Sequence, residues 1–209
     1  MWYRGAGWGH PSSIGVADSV DGGKTWAKFK GNPVYVGADH VSTDCAGQPW
    51  VYREAGGRGK YWLFTTNNSP ARTCVATSVD GLSWRNASNT AASVVPLPPN
   101  GKLFGNRAVW KEADGSWRLL QELMAGGIWE VYLYKGADPL HWQLDNGGRP
   151  LRQLQRHPGS MYGGIHIATV DGVFTPRSPK DGLYHVWYHA GAAGNLPTDI
   201  YHASSPDLL

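Results

Sequence analysis

The sequence is poor in charge and in long apolar runs, and each shortage excludes a class of protein. Only 17% of the 209 residues are charged, and the 19 Lys and Arg residues are scattered, so no nucleic-acid-binding surface is predicted. No stretch has the long, charge-free apolar run of a membrane helix. The N-terminus lacks a basic region followed by an apolar one, so no signal peptide is predicted there.

Cysteine is scarce as well. The two cysteines, Cys45 and Cys74, fit no metal-ligand spacing. Their arrangement leaves a disulfide or two buried free thiols open, and we expect the free thiols. The histidines form no metal-binding triad and no cofactor motif occurs, so neither a metal nor a cofactor is expected.

Glycine, proline and aromatic residues are plentiful, with 28 Gly, 14 Pro and 12% aromatics. This composition favours short strands joined by many turns, and it argues against long helices and against disorder. The length suits one sizeable domain. We therefore predict a single domain over residues 1–209.

One turn recurs along the chain. Residues 19–26 read S-x-D-x-G-x-T-W, and the pattern returns at 78–84, in weaker form up to Trp142, and in truncated form at 204–208. The tryptophans that close the first three copies, Trp26, Trp84 and Trp142, follow at intervals of 58 residues. A fixed period indicates a repeat architecture.

The recurring turn is interpreted as structural. Asp next to Gly favours a tight turn, because Asp caps its own backbone and Gly accepts a positive φ. Two β runs joined by such a turn form a hairpin. We expect the Trp to open the next strand and to bury its ring between neighbouring units.

Apolar, aromatic runs surround each turn and define the repeating unit. One run precedes every turn, at 1–4, 61–66, 117–122 and 184–189, and units two to four carry a further run before it, at 49–52, 107–110 and 164–167. A complete unit is therefore four strands, the pattern of one propeller blade. The fold predicted is an all-β propeller with two complete and two partial blades. The partial blades either belong to a larger propeller, close on each other, or are completed by a second copy of the chain.

The phrases at 15–26, 31–34, 59–64 and 201–208 resemble the five-bladed propeller glycosidases, the group of invertase, levansucrase, arabinanase and β-xylosidase. The eight-residue turn is also similar to the sialidase Asp-box. The first resemblance covers nearly the whole chain and implies three acids around an axial funnel: an Asp nucleophile or base in the first blade, an Asp before a Pro in the second, and a Glu general acid in the third. Here Gln48 precedes Pro49, and Asn106 stands at the matching place in the third unit.

Alignment of the second strands of the units places Arg4, Thr66, Glu122 and His189 at equivalent positions. Glu122 lies among apolar residues, which raise the pKa of a carboxyl group and suit a general acid. The alternative is a structural Glu paired with Arg4 or Arg107.

The second carboxylate is expected to be Asp44, in the polar loop 37–48 that also contains His40. Its alternative role is to cap a turn. Glycoside hydrolysis needs two carboxyl groups, so Glu122 and Asp44 are the predicted catalytic pair. The resemblance implies a furanose- or pentose-containing glycan as the substrate.

The predicted carbohydrate contacts are Arg4, Trp8, His40, Gln48, Asn106, Arg107, Trp129 and His189. Trp8 and Trp129 are expected in loops after second strands, where an exposed Trp stacks on a sugar. A non-catalytic glycan-binding propeller, built from Trp8, Trp129, Gln48 and Asn106, is the main alternative function. A purely structural or protein-binding propeller is the third.

Overall fold

The computed structural model describes residues 1–7, 10–36, 45–54, 59–88, 92–126, 128–151, 181–190 and 199–208. Its strands, in chain order, are β1 (Trp2–Gly7), β2 (His10–Asp18), β3 (Ala27–Lys28), β4 (Gly47–Arg53), β5 (Tyr61–Asn68), β6 (Ala71–Ser78), β7 (Arg85–Asn86), β8 (Gly101–Lys111), β9 (Trp117–Ala125), β10 (Ile128–Asp138), β11 (His141–Leu144), β12 (Tyr184–Ala190) and β13 (Asp199–Ser205). A single 3₁₀ turn, Asn146–Gly148, is the one helical element among the described residues. No helix in these ranges is long and apolar enough to cross a membrane.

The strands form antiparallel sheets in the order that the repeat predicts. The sheets are β1-β2-β3, β4-β5-β6-β7, β8-β9-β10-β11 and β12-β13. The first sheet begins with the counterpart of a second strand, as expected from its shorter unit. The predicted all-β blade architecture is therefore confirmed.

The chain divides into two compact units, residues 1–94 and 95–209. The first unit contains the sheets β1–β3 and β4–β7, and the second contains β8–β11 and β12–β13. A buried cluster of Ile14, Tyr35, Leu63 and Ala76 joins the two sheets of the first unit. In the second unit, the Tyr184 hydroxyl donates to Glu112 Oε1 at 2.9 Å. The single domain over 1–209 stays a prediction.

The Asp-containing turns are closed by their own carboxylates. Asp21 Oδ1 accepts from the backbone N–H of Lys24 at 3.0 Å and of Thr25 at 2.9 Å. Asp80 Oδ1 accepts from the backbone N–H of Ser83 at 2.8 Å. Hydrogen bonds to the Thr25 side chain and to the Ser83 backbone are the main reason that the pKa values of Asp21 and Asp80, respectively, lie at about 2. The structural interpretation of these turns agrees with this geometry.

The repeating tryptophans differ in burial. Trp142 is buried and donates to the carbonyl oxygen of Pro139 at 2.9 Å, and Trp84 packs against the Ile14 cluster. The prediction of a ring buried between units is wrong for Trp26, which is 47% exposed. Its indole folds back and donates to Gly23 O at 3.0 Å, so the ring covers its own turn.

The expectation of two free thiols is wrong, because Cys45 and Cys74 form a disulfide with their Cα atoms 5.8 Å apart. Cys45 directly precedes β4, and Cys74 lies within β6. Both side chains are buried. The two cysteines are 29 residues apart in sequence, and the antiparallel pairing of β4, β5 and β6 brings them together. The spacing in the sequence alone does not reveal this proximity.

Candidate functional site

Glu122 is positioned by a β-bulge in the third sheet. The register of β8 against β9 shifts between Phe104 and Arg107, so Gly105 and Asn106 both lie opposite Glu122. A bulge of this kind removes a backbone N–H from the ladder. Here the Asn106 N–H donates instead to Glu122 Oε2 at 2.9 Å.

A side chain at the first bulge position would displace the Glu122 carboxyl group. A Cβ atom built on Gly105 would lie 2.2 Å from Glu122 Oε2, far inside van der Waals contact. The Glu122 side chain therefore occupies the space that any other residue at 105 would need. It is only 4% exposed, so the carboxyl group is held against the backbone of β8 and away from water.

Burial controls the protonation of this carboxyl group. Desolvation raises the pKa of Glu122 to about 8, while the Asn106 N–H and the charge of Arg107 act in the opposite direction. Burial also lowers the pKa of Arg107 to about 9, against the attraction of Glu122. At neutral pH Glu122 therefore holds its proton, which is the state that a general acid needs.

A buried polar network fixes the bulge from the other side. Gln121 Nε2 donates to the carbonyl oxygens of Gly105 at 3.1 Å, Asn106 at 3.0 Å and Glu122 at 2.9 Å. Arg107 Nε donates to Gln121 Oε1 at 3.0 Å, and its Nη2 donates to Gly105 O at 3.1 Å. Gln121 and Arg107 are almost fully buried. The network binds both bulge carbonyls and so holds the backbone that faces Glu122.

Trp129 lies in a strand, so its predicted place in a loop is wrong. It belongs to β10, opposite Met124, and is half-buried. Val131 of the same strand lies opposite Glu122. Because side chains alternate along a strand, Trp129 shares the face of the sheet on which Glu122 lies.

Gln48 occupies a corresponding bulge in the second sheet. The register of β4 against β5 shifts between Gly47 and Trp50, and Gln48 has a φ of 38°. In β1, Arg4 is exposed, and its Nη2 donates to Ser12 Oγ at 2.8 Å. These residues belong to the first unit, whereas Glu122, Asn106, Arg107 and Trp129 belong to the second.

The remaining predicted residues fall wholly or partly outside the described part of the chain. Asp44, His40 and Trp8 lie outside the described residues. For His189 the structure gives the strand, β12, and the backbone pairing with Ile200, but not the side chain. In the described ranges, no three or more His, Cys, Asp or Glu side chains are grouped so as to hold a metal ion.

Sequence reasoning missed Gly105 and Gln121. The sequence does contain a signal for each residue. The adjacent polar residues Gln121 and Glu122 interrupt the apolar run of β9, and a Gly-Asn-Arg triplet interrupts that of β8. An interior glycine in a strand often marks a bulge. The pairing of these two interruptions depends on the register, which the sequence does not specify.

Comparison with known proteins supports the fold. No protein-family model matches the chain. Over 91 residues it is 31% identical to the sucrose-6-phosphate hydrolase of Escherichia coli, a match that spans 42% of this chain and 18% of that protein. An endo-1,4-beta-xylanase from Bacteroides thetaiotaomicron has a TM-score of 0.60 at 16% identity, covering 98% of this chain and 64% of that one. The GH32 beta-fructofuranosidase BmSUC1 from Bombyx mori has a TM-score of 0.56 at 17% identity, covering 96% and 42%.

The chain thus shares its fold with glycoside hydrolases of the propeller type, as the resemblance implied. It spans less than two thirds of the length of each of these proteins. The likeness in structure, at these identities, concerns the fold and not the site.

Proposed function

We propose that the chain is a glycoside hydrolase-like protein acting on a furanose- or pentose-containing glycan, with Glu122 as the general acid. The observation that carries the proposal is the buried Glu122 carboxyl group, whose pKa is raised to about 8. A general acid must hold its proton at the working pH and release it to the leaving group. The xylanase and fructofuranosidase that share the fold act on sugars of this kind by name.

Asp44 is the proposed partner carboxylate. In glycoside hydrolysis one carboxyl group protonates the leaving oxygen, while the second acts as base or nucleophile. Asn106 and Trp129 are proposed to line the sugar site on the side of Glu122, whereas Arg107 is buried with Gln121 on the other side and supports the bulge. Arg4, Trp8, His40, Gln48 and His189 complete the proposed set of contacts.

The test compares hydrolysis by the unaltered protein and by Glu122→Gln on two kinds of pentofuranoside substrate. Loss of the general acid should reduce turnover of an oligosaccharide by roughly 100-fold or more. A nitrophenyl furanoside, whose leaving group needs little protonation, should lose less. Asp44→Asn should reduce turnover of both substrates.

Glu130→Gln is the matched control for this experiment. Glu130 lies on the neighbouring strand β10 and accepts from the Tyr132 hydroxyl at 2.8 Å, so its replacement tests the loss of a nearby carboxylate. It should retain activity. Equal turnover by Glu122→Gln and the unaltered protein on both substrates would remove Glu122 from the mechanism.

A non-catalytic glycan-binding protein is the second candidate. Gln48 and Asn106, which occupy the bulges of the two complete sheets, are neutral where the glycosidase pattern has acids. Binding to a pentose-containing glycan that survives Glu122→Gln, with no hydrolysis by the unaltered protein, would favour this candidate. An absence of binding across a broad glycan array would favour a structural or protein-binding propeller.

We also propose that the sheet edges associate, either with each other or with a second copy of the chain. β1 lies at the edge of its sheet and β13 lies at the edge of β12-β13 among the described strands. Open edges present unpaired backbone groups that readily accept another strand. Carbohydrate is the proposed ligand, with neither nucleic acid nor membrane as a partner.

A further inference from the structure

An imidazole pair lies on one face of the β12–β13 hairpin, apart from the Glu122 bulge. His185 Nδ1 is 2.8 Å from His202 Nε2. The rings are nearly parallel, with their centroids 5.0 Å apart. His202 is exposed and His185 is partly so. Two ring nitrogens thus lie side by side at a place that solvent can reach.

A carboxylate determines the tautomer of one ring. Asp181 Oδ2 lies 3.0 Å from His185 Nε2. Because a carboxylate accepts, the proton of neutral His185 is assigned to Nε2, which leaves a lone pair on Nδ1. His202 Nε2–H then donates to that lone pair. Histidine ligands of metal ions are commonly oriented by a carboxylate on the opposite ring nitrogen in this way.

The ring positions are also supported by Trp187. Its ring lies 4.9 Å from that of His202 and 6.2 Å from that of His185. Trp187 is the cross-strand partner of His202. The register of the hairpin and the indole together place the two imidazoles side by side.

We propose that His185 and His202 form a binding site for a divalent transition-metal ion with a preference for Cu²⁺ or Ni²⁺. Nitrogen ligands about 2.0–2.1 Å from a metal and at right angles to each other lie about 2.9 Å apart, close to the observed separation. Right-angled nitrogen ligands are typical of square-planar Cu²⁺ and Ni²⁺. Two dative bonds, from His185 Nδ1 and His202 Nε2, replace two bound waters, and other waters complete the coordination.

Binding needs no net release of a proton from neutral rings. His185 already presents its lone pair, and His202 moves its proton from Nε2 to Nδ1. Asp181 keeps its hydrogen bond to His185 and orients the ring. It is therefore a positioning residue, whose replacement by Asn should weaken metal binding about 10- to 100-fold.

The test is a titration of the full chain with Cu²⁺ alone. Calorimetry measures the affinity and the number of sites, and electron paramagnetic resonance counts the nitrogen ligands. The expected result is one site with two nitrogen ligands. His185→Gln and His202→Gln should each lower the affinity at least about tenfold and reduce the spectrum to one nitrogen at most.

His141→Gln is the matched control. His141 is exposed and is paired with the Asp138 carboxylate, not with an imidazole, so its loss should leave the affinity and spectrum unchanged. Circular dichroism checks that each variant is folded. Affinities equal in the unaltered protein and in both His185→Gln and His202→Gln, or a spectrum without two nitrogen ligands, would overturn the proposal.

Discussion

Two opposing effects determine whether the Glu122 carboxyl group is protonated. Burial favours the neutral acid, whereas the Asn106 N–H and the charge of Arg107 favour the carboxylate. Burial is the larger effect, so the proton is retained. The bulge makes both effects possible, because it turns the Asn106 N–H towards the carboxyl group while the sheet excludes water.

Protonation of Glu122 should make stability depend on pH. The folded state keeps the proton up to about pH 8, whereas the unfolded chain releases it near the ordinary pKa of 4.5. Between these values the unfolded state binds fewer protons, so the free energy of unfolding falls as pH rises from about 4.5 to about 8. Glu122→Gln should flatten this slope in urea unfolding measured across the range.

Glu130→Gln serves as the control and should retain the slope. Parallel pH profiles for Glu122→Gln and the unaltered protein would show that Glu122 titrates alike in the folded and unfolded states.

Gln121 should be important for stability although it is not expected to touch substrate. Gln121→Leu leaves Arg107 Nε and the carbonyl oxygens of Gly105 and Asn106 without this partner. A buried polar group left unpaired costs about 1–3 kcal/mol, and a charged one costs more. The free energy of unfolding should fall by about 2 kcal/mol or more in urea unfolding. Gln143→Leu, at an exposed position of β11, should change it by less than about 0.5 kcal/mol; equal effects of the two variants would contradict the network's role.

The Asp-containing turns act at the level of the hairpin. Asp80 Oδ1 accepts from the N–H groups of Leu82 and Ser83, both at 2.8 Å, between β6 and β7. Asp80→Ala should lower the free energy of unfolding by about 1 kcal/mol, while Asp80→Asn keeps one acceptor oxygen and should lose less. The control is Asp18→Ala, at an exposed position of β2.

The pH dependence of this effect has a definite sign. The pKa of Asp80 is lowered from 3.8 to about 2, mainly by hydrogen bonds from Ser83 and Leu82. Its contribution is present above the unfolded value and is lost as pH falls towards 2. The difference between the unaltered protein and Asp80→Ala should therefore shrink in acid. A difference that stays constant from pH 6 to pH 2 would count against the carboxylate as the closing group.

Hairpin order was predictable from the sequence, and the site was predictable only in part. The 58-residue interval and the Asp turns indicated the strands, because both are local signals. The bulge at Gly105 and Asn106 was not predictable, because it depends on the register of β8 against β9. The Cys45–Cys74 disulfide was missed for a similar reason, since its closure depends on strand order. The exposed Trp26 shows that a repeated residue need not repeat its packing.

At the scale of the whole molecule, the described sheets differ in their number of strands. The four-stranded sheets, β4–β7 and β8–β11, carry the bulges at Gln48 and at Gly105–Asn106, and β1 and β13 lie at edges of the shorter sheets. Asn106 and Arg107, which act on the Glu122 carboxyl group, belong to the same sheet as Glu122. The proposed catalytic pair needs more, because Asp44 comes from the loop 37–48 in the other compact unit.

Association through the sheet edges is expected to depend on concentration. Light scattering over a wide range of protein concentration should find dimers or larger species if a second copy supplies the missing pairing. The Arg4 N–H faces the open edge of β1, because Arg4 lies opposite Ile14, whose own N–H donates to Tyr35 O. Arg4→Pro, which removes that donor, should reduce the association, with Val20→Pro in an exposed turn as the control. A monomer at all concentrations, with β1 and β13 unpaired, would contradict both association and closure.

The protonation of Glu122 can be measured directly, without knowing the substrate. The sequence contains only four glutamates, Glu54, Glu112, Glu122 and Glu130, so protein labelled with ¹³C at the glutamate side-chain carboxyl should give four carboxyl signals. Glu122→Gln identifies the signal of Glu122 by its loss. We expect the Glu122 carboxyl group to remain protonated at pH 7 and its signal to titrate near pH 8. Titration near pH 4.5, the ordinary pKa of this group, would contradict the claim that Glu122 is held as a neutral acid.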